Sequence, residues 1–264
     1  MHFKNKVVWI TGASSGIGEE LAYLFAKDKA RLVISSNDST ELERVKQKCL
    51  KYSNICTVIE FDLERTSDID NLTKKIVNEL GRIDVLINNG GISQRAFARE
   101  TPIEMDRKIM EINFFSAITL TKSVLPFMLK QGSGHIAVTS SITGKFGFPL
   151  RSAYSASKHA VAGYFETLWF ELKENNIGVT VAYPGRVKTK ISLNAIDKDG
   201  KAHGKMDAGQ DNGISAEKCA FEYYKAIKNN KKEIYIGGSE LLMVFLKRFA
   251  PALHRKLVMR IDHT

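Results

Sequence analysis

The chain is predicted to fold as one α/β domain built on a parallel sheet with helices on both faces. Short apolar runs rich in β-branched residues alternate with longer segments whose apolar residues recur at helical spacing. The first run passes directly into a glycine-rich loop and then into an amphipathic segment. No proline-rich or serine-rich linker and no internal repeat divides the 264 residues. This alternation is typical of a doubly wound sheet.

The elements follow from the period of their apolar residues. Runs of three to six apolar and β-branched residues are too short for helices and predict strands at residues 7–10, 31–35, 56–61, 85–87, 135–139, 179–183 and 233–236. Longer segments with apolar residues three and four apart predict helices at residues 19–25, 40–52, 67–80, 103–129, 153–173 and 216–228.

The loop at residues 11–18 reads TGASSGIG and joins the first predicted strand to the first predicted helix. Glycine permits a tight turn and close backbone approach, so the loop and the helix N-terminus can meet a diphosphate. The alternative is an ordinary strand-to-helix turn. The strand before the loop and the helix after it favour dinucleotide binding.

Tyr154 and Lys158 indicate an acid/base function. On a helix, residues four apart share a face, so the lysine ammonium can stabilise the tyrosine phenolate. A free tyrosine ionises near ~10 and needs such a neighbour to exchange protons near neutral pH. Ser141 lies thirteen residues before Tyr154. The pair alone also occurs by chance on solvated helices, so it carries weight only beside the other motifs.

These motifs resemble the classical short-chain dehydrogenase/reductases. They fall in the order and spacing of that family over about residues 5–238, and they are residues 11–18, Asp62-Leu63, Asn88-Asn89-Gly90-Gly91, Asn113, Ser141, Tyr154 with Lys158, and residues 184–189. Gly90 departs from the alanine usual in the family, a small-for-small change expected to leave the backbone role intact. The resemblance implies a seven-stranded Rossmann-type sheet and hydride transfer between a nicotinamide cofactor and a carbonyl or alcohol carbon.

The resemblance also implies the catalytic roles. Tyr154 would be the general acid/base, Lys158 would lower its pKa and bind the nicotinamide ribose, and Ser141 would hold the substrate oxygen. Asn113 would hold a water that relays protons. The main alternative is a catalytically silent NAD(P)-binding regulatory or scaffold protein, which would usually lack one of the Tyr, Lys and Ser residues. An extended-branch sugar-nucleotide epimerase would need a longer C-terminal domain and different glycine spacing.

The cofactor residues are likewise implied by the resemblance. Asp62 would hold the adenine amino group, and Val187 and Thr189 would secure the nicotinamide carboxamide. The full predicted set is Gly12, Ser14, Ser15, Gly16, Ile17, Gly18, Ser36, Asn37, Asp62, Leu63, Asn89, Gly90, Tyr154, Lys158, Pro184, Gly185, Val187 and Thr189. No metal is expected.

Residues 36–38 bear on the choice between NADP and NAD. An acidic residue at the end of the second strand would bind the ribose 2′-hydroxyl, whereas a basic one would accept a 2′-phosphate. Ser36 stands at the acidic position and Asn37 at the basic position, so neither determinant is present. The uncharged Ser36 favours NADP, while Asp38 nearby keeps NAD open.

Residues 1–238 are predicted to form the catalytic domain, with a substrate lid at about 186–215. The alternative for the lid is a solvated surface loop. Residues 239–264 form a basic C-terminal extension of two amphipathic halves separated by Pro251. The extension is expected to pack on the domain or at a subunit interface, or to lie on an anionic membrane surface.

Composition excludes several classes. Hydrophobic residues at 44% and charged residues at 26% are typical of a soluble globular protein. The net charge of +10 is scattered without aromatic-interleaved basic stretches, which argues against nucleic-acid binding. The three cysteines are expected to be free, buried thiols. The early first strand leaves no room for a leader, and apolar stretches fall short of the ~20 residues of a membrane helix, so a cytoplasmic location is expected.

The substrate and the assembly are less specified. A small carbonyl or alcohol is expected, and Phe97, Phe146, Phe148 and Leu150 could line an apolar pocket, although aromatic residues there also suit an ordinary core. Residues 93–95, Ser-Gln-Arg, resemble a branch of the family linked to lipophilic carbonyls. The resemblance implies a homodimer or homotetramer that pairs through the Asn113 helix and the Tyr154 helix.

Overall fold

A computed structural model of the chain describes residues 2–261; Met1 and the last three residues of the predicted extension, 262–264, lie outside the described residues. The strands are β1 (Val7–Thr11), β2 (Arg31–Ser36), β3 (Cys56–Glu60), β4 (Val85–Asn88), β5 (Gly134–Thr139), β6 (Ile177–Pro184), β7 (Val187–Lys188), β8 (Ile214–Ser215) and β9 (Glu233–Ile236). The helices are α1 (Gly16–Lys27), α2 (Ser39–Cys49), α3 (Ile69–Leu80), α4 (Ile103–Met110), α5 (Ser116–Gln131), α6 (Ser152–Glu171), α7 (Ala208–Asp211), α8 (Ala216–Lys228), α9 (Leu242–Phe249) and α10 (Pro251–Val258).

Seven strands form one parallel sheet in the order β3-β2-β1-β4-β5-β6-β9. This confirms the predicted Rossmann-type sheet. The strand order reverses between β1 and β4, and ligands of such sheets bind in the crevice at that reversal, outside the carboxyl ends of the strands. The fold therefore places the glycine loop after β1 beside the loop after β4.

Both faces of the sheet are buried, as the continuous apolar strands indicate. Along β1, Val8 and Ile10 pack with residues of α1 and α8, whereas Val7 and Trp9 pack with residues of α3, α5 and α6 on the opposite face. This alternation is the two-residue period of a strand. The predicted free thiols are confirmed, since Cys49, Cys56 and Cys219 are buried and unbridged.

The predicted helix at residues 103–129 is interrupted. A π-helical turn, Glu111–Phe115, separates α4 from α5 and contains Asn113. Within residues 2–261, the helical stretch Ile103–Gln131, with the π turn included, is the one long and apolar enough to cross a bilayer, which the short apolar stretches of the sequence do not suggest. Its residues Leu120 and Val124 are fully buried in the core, an arrangement typical of core helices that satisfy the same length and composition test.

Two outer segments reach the carboxyl-end edge of the sheet. Residues 186–215, predicted to be a substrate lid and named the lid segment for that prediction, leave and return through the parallel pair β7–β8. The C-terminal extension forms α9 and α10, with Pro251 in the first turn of α10 as its missing N–H allows. The His254 ring of α10 packs edge-on against Phe146 at 5.0 Å between centroids.

Candidate active site

A cavity of about 390 Å³ opens at the carboxyl ends of β1, β4, β5 and β6. The predicted site residues that line it are Gly12, Ser14, Ser15, Gly16, Ile17, Ser36, Asn37, Asp62, Leu63, Asn89, Gly90, Ser141, Tyr154, Lys158, Pro184, Gly185, Val187 and Thr189. The structure therefore brings together residues that are up to 177 positions apart in sequence. Of the predicted set, Gly18 and Asn113 lie behind the cavity wall.

The glycines are required by close backbone packing. Gly12 has a φ of +62°, and a Cβ placed on it would lie 2.5 Å from the Gly90 Cα. A Cβ on Gly18 would lie 2.2 Å from the Gly12 carbonyl oxygen and 2.6 Å from the Asn89 Nδ2. Gly18 therefore does not face the cavity; it lets α1 approach the loop that does. Since Ser15 makes no side-chain cap, the backbone N–H groups that begin α1 keep their capacity for an anionic ligand.

Two threonines to which the sequence analysis gives no role of their own, Thr11 of the glycine-loop motif and Thr139, fix the loop after β4. The Thr11 Oγ1 accepts from the backbone N–H groups of Asn89 at 3.1 Å and Gly90 at 3.2 Å. The Asn89 side chain donates to the Gly12 carbonyl at 3.2 Å and accepts from Thr139 at 3.2 Å. A hydroxyl side chain at the last position of a buried strand is the signal that could have identified both threonines.

Tyr154, Ser141 and Lys158 meet at one wall of the cavity. The Ser141 hydroxyl caps the short 3₁₀ helix Ile142–Gly144, donates to the Pro184 carbonyl at 3.4 Å and lies close enough to the Tyr154 phenol to act on its pKa. The Lys158 Nζ lies 5.8 Å from the centre of the Tyr154 ring and donates to the Thr139 carbonyl at 2.9 Å. Tyr154 and Lys158 are both buried on α6, one turn apart. This arrangement holds a phenol and an ammonium one helical turn apart on the cavity wall.

Burial shifts the pKa values of both Tyr154 and Lys158. Burial raises the pKa of Tyr154 above its ordinary value, because the phenolate would lose its water. The hydrogen bond from Ser141 and the charges of Arg95 and Arg151 oppose this rise. Burial lowers the pKa of Lys158 to about 8. The role predicted for Lys158, lowering the pKa of Tyr154, stays a prediction: its ammonium donates to the Thr139 carbonyl, and the cations that oppose the rise are Arg95 and Arg151.

Asn113 is buried and its side chain is used within the protein. Its Nδ2 donates to the Ile92 carbonyl and to the Ser157 hydroxyl, both at 3.0 Å, and its Oδ1 accepts from the Ile92 N–H at 2.9 Å. The side chain thus ties the loop after β4 to α6 next to Lys158. π-Helical turns are frequent at functional sites, consistent with the sequence expectation for this asparagine.

A second cavity, of about 130 Å³, lies beyond Tyr154. Of the predicted apolar pocket, Phe146 and Phe148 line it, whereas Phe97 is 47% exposed and Leu150 is not part of the lining. Further lining residues that the sequence reasoning did not assign are Arg95, Ile142, Arg151, Ile191, Asp207, Glu240, Met243 and Ile261. The lid segment and the C-terminal extension therefore both contribute to this cavity.

The sequence of the chain is similar to those of known short-chain dehydrogenases. A family model for short chain dehydrogenases matches residues 6–200. A dehydrogenase/reductase SDR family protein 7-like from Drosophila melanogaster is 38% identical over 254 residues, covering 94% of this chain and 78% of the fly protein. Dehydrogenase/reductase SDR family member 7B from Xenopus laevis is 39% identical, covering 94% of this chain and 79% of the frog protein.

Solved structures share the fold. A short-chain dehydrogenase/reductase from Burkholderia phymatum in complex with NAD has a TM-score of 0.84 at 24% identity, with 96% of each chain covered. An alcohol dehydrogenase from Thermococcus sibiricus complexed with 5-hydroxy-NADP has a TM-score of 0.75 at 22% identity, covering 89% of this chain and 97% of that one. With its sheet order, its family match and these relatives, the chain belongs to the short-chain dehydrogenase/reductase family of oxidoreductases.

Proposed function

We propose that the protein interconverts a carbonyl and a secondary alcohol with a nicotinamide dinucleotide, NADP in preference to NAD. The observation that carries this proposal is the position of Tyr154 and Ser141, which line both the larger and the smaller cavity. A proton donor at the junction of two cavities suits a reaction in which one cavity holds the cofactor and the other the substrate. The predicted roles of Tyr154, Ser141, Lys158 and Asn113 are retained on that basis.

The bound dinucleotide would supply or accept the hydride. In reduction, Tyr154 donates its phenolic proton to the carbonyl oxygen of the substrate, and Ser141 donates a hydrogen bond to the same oxygen. In oxidation, Tyr154 takes the proton from the alcohol. Burial raises the pKa of Tyr154, which keeps the phenol protonated and ready to donate. Lys158 and Asn113 then serve to restore its proton, with Lys158 also binding the nicotinamide ribose.

The glycine loop fits a dinucleotide diphosphate. Gly12, Gly16 and Gly90 line the cavity without side chains, so a ligand can approach their backbone closely. Ser14, Ser15 and the first turn of α1 would hold phosphate oxygens. Asp62 and Leu63 line the end of the cavity proposed for adenine, and Val187 and Thr189 line the end proposed for nicotinamide.

The part of the larger cavity around Ser36, where the adenosine ribose is expected, supports NADP. The Ser36 hydroxyl lies 2.9 Å from the Ser14 hydroxyl, so the position offers neutral hydrogen-bonding groups to a 2′-phosphate. Asp38, the residue that left NAD open, accepts from the Glu41 N–H at 3.0 Å and caps α2. Arg44 donates to the Ser14 carbonyl at 3.4 Å and is a cation at this end that also pairs with Glu19 at 2.7 Å and Glu41 at 2.8 Å. Arg44→Gln is expected to weaken NADPH binding and leave NADH binding unchanged in fluorescence titrations.

The domain boundaries are proposed as predicted, with residues 1–238 catalytic and residues 186–215 the lid. Residues 239–261 carry five basic side chains, Lys247, Arg248, Arg255, Lys256 and Arg260, against the single acid Glu240. The same segment exposes Leu242, Phe245, Phe249, Leu253 and Met259, with Phe249 and Met259 at 76%. Exposed aromatic and aliphatic side chains beside basic ones suit an anionic membrane surface.

We therefore propose a cytoplasmic enzyme that contacts membranes peripherally and takes a lipophilic substrate. Met243 and Ile261 of the same extension line the smaller cavity, so membrane contact and substrate access share one segment. Phe245→Glu with Phe249→Glu should abolish pelleting with vesicles containing phosphatidylserine, while neutral phosphatidylcholine vesicles report the apolar contribution alone. Equal pelleting of wild type and variant with the anionic vesicles would remove the membrane proposal.

A homodimer or homotetramer is proposed through the helices next to the site. Phe115 and Leu129 on the Asn113 helix and Phe170 on α6 are 44%, 43% and 59% exposed. Large apolar side chains of this exposure are typical of subunit interfaces. Phe170→Glu should shift the mass measured by light scattering after size-exclusion chromatography toward the monomer, and an unchanged mass would exclude this face.

The reaction is tested by titrating NADPH and NADH and then assaying a panel of ketones and secondary alcohols. Tyr154→Phe removes only the phenolic hydroxyl and is expected to lower kcat by about 10²–10⁴-fold, with cofactor binding retained through the other residues of the cavity. A wild type that binds cofactor yet turns over no faster than Tyr154→Phe on every substrate would refute the proposal and favour the catalytically silent alternative.

A further inference from the structure

Residues 93–95, Ser-Gln-Arg, form a buried polar segment that contacts both α6 and the lid segment. Gln94 is fully buried, and the side chain of Arg95 is 3% exposed. Burial of such groups is costly unless their hydrogen bonds are satisfied. Their partners therefore show what this segment holds in place.

Gln94 holds the first turn of the helix that carries Tyr154. The residue before α6, Arg151, makes no side-chain cap. Gln94 supplies one from another loop, because its Oε1 accepts from the N–H groups of Ala153 at 3.0 Å and Tyr154 at 3.4 Å. Its Nε2 donates to the Ser152 hydroxyl at 3.4 Å. Free N–H groups at a helix start need such partners, so Gln94 sets the position of this turn.

Arg95 holds the lid segment. Its Nε donates to both carboxylate oxygens of Asp207, each at 3.1 Å, and its NH2 group also contacts Asp207. Arg151 donates to the same carboxylate at 2.8 Å. The two arginines come from neighbouring segments, joined by the bridge between Ala96 and Arg151, and the Asp207 side chain, 7% exposed, contacts both. Moving the Asp207 carboxylate away from the two arginines is costly, because Arg95 and Arg151 would be left as buried charges without this partner.

Backbone hydrogen bonds also join residues 93–95 to the lid segment. The Ile196 N–H in the lid donates to the Ser93 carbonyl at 2.9 Å, and the Arg95 N–H donates to the Ile196 carbonyl at 2.9 Å. On the other side, the Ala96 N–H donates to the carbonyl of Leu150 at 3.2 Å. Leu150 has a φ of +62°, a conformation that is strained for a branched side chain and persists only where the surroundings enforce it.

We propose that residues 93–95 couple the lid to the catalytic tyrosine, with Arg95 and Arg151 latching Asp207 and Gln94 fixing the turn from which Tyr154 projects. The position of the lid segment and the position of Tyr154 then both depend on residues 93–95. Gln94, Arg95 and Asp207 are positioning residues. The coupling rests on the function proposed for Tyr154, whereas the latch does not.

The latch is tested by amide hydrogen exchange of the full chain, with and without NADPH. Asp207→Asn keeps the shape of the side chain and removes its charge, and exchange at the Ile196 amide is expected to rise about tenfold to a hundredfold. Asp211→Asn is the matched control, because Asp211 pairs with Lys188 in the same segment at 2.8 Å but both side chains are more than half exposed. The control should leave exchange unchanged.

Wild-type exchange at Ile196 in Asp207→Asn, or an equal rise in Asp211→Asn, would overturn the latch. Should Asp207→Asn fail to fold, Arg95→Lys makes the same test, since lysine keeps the charge but loses the two-pronged contact. These measurements need no substrate, so they stand even when the proposed reaction fails.

The coupling to Tyr154 is tested by kinetics. Gln94→Met removes the acceptor at similar size and is expected to lower kcat about tenfold or more, with the Kd for NADPH and lid exchange unchanged. Gln94→Glu keeps an acceptor oxygen and should restore most of the loss. A Gln94→Met enzyme with wild-type kcat, or one that Gln94→Glu does not rescue, would refute the positioning role; no wild-type turnover on any substrate would instead refute the proposed function.

Discussion

Replacing Lys158 by methionine is expected to stabilise the protein near neutral pH. Burial lowers the pKa of Lys158 from its ordinary 10.5 to about 8. Each pKa unit corresponds to about 1.4 kcal/mol, so holding this ammonium charged in the folded state costs about 3 kcal/mol. Loss of the hydrogen bond to the Thr139 carbonyl offsets about 1 kcal/mol of the gain. Lys158→Met should therefore unfold with a free energy about 2 kcal/mol above wild type at pH 7.

The pH dependence gives the sharper test. Between pH 8 and 10.5 the unfolded chain keeps the proton on Lys158 while the folded chain has lost it. Stability rises with pH wherever the unfolded state binds more protons, so in this window wild type gains stability relative to the variant. The advantage of Lys158→Met should shrink by about 2 kcal/mol between pH 7 and about pH 9.5.

The assay is urea unfolding of wild type and variant at several pH values, where groups common to both cancel in the difference. Lys130→Met, which replaces an exposed lysine of α5, is the matched control and should show no pH-dependent difference. A Lys158→Met advantage that is absent at pH 7, or that stays constant to about pH 9.5, would refute the assignment of Lys158 as a desolvated cation. A more stable but inactive variant would show that function holds this charge in place.

Three further substitutions test the loop and the ribose end. Gly18→Ala should destabilise by about 1–3 kcal/mol and weaken NADPH binding, because its Cβ meets the fixed Gly12 carbonyl at 2.2 Å; unchanged urea unfolding would contradict this packing. Gly90→Ala should cost less than about 1 kcal/mol, since the atom nearest to its Cβ is the end of a side chain, Leu63 Cδ1 at 2.4 Å, and the nearest backbone atom, the Gly12 N, is 3.3 Å away; a loss as large as that of Gly18→Ala would show that the Leu63 side chain cannot shift. Asp38→Ala should lose about 1 kcal/mol as a helix cap and leave NADH affinity unchanged; weaker NADH binding would instead mark Asp38 as a ribose ligand.

The sheet could be predicted because its information is local. Each buried strand is a short apolar run, and residues such as Val8 and Ile10 need only their period of two to be assigned to a face. The glycine loop is equally local, since its neighbours along the chain are the strand and helix that it joins. The π-helical turn around Asn113 was not predicted, because one extra residue in a helical turn barely changes the apolar pattern.

Other parts of the site depend on contacts that sequence spacing does not encode. Arg95 and Asp207 are 112 residues apart, and neither has a local pattern that marks it as buried. Gln94 contacts the start of α6 from 59 residues away and looks like an ordinary loop residue in sequence. Only the packing of the lid and the loop after β4 against α6 brings these side chains together.

The pKa of Tyr154 also depends on tertiary contacts rather than on local spacing. The spacing of Tyr154 and Lys158 correctly predicts a shared face, but proximity on a helix does not fix where an ammonium points. In the structure it points to a carbonyl, and the cations that act on the phenol come from Arg95 and Arg151. Since Asp207 binds both arginines, a movement of the lid segment would alter the charge that Tyr154 experiences. The proton-transfer group is thus defined by tertiary contacts, with the helical pair supplying its scaffold.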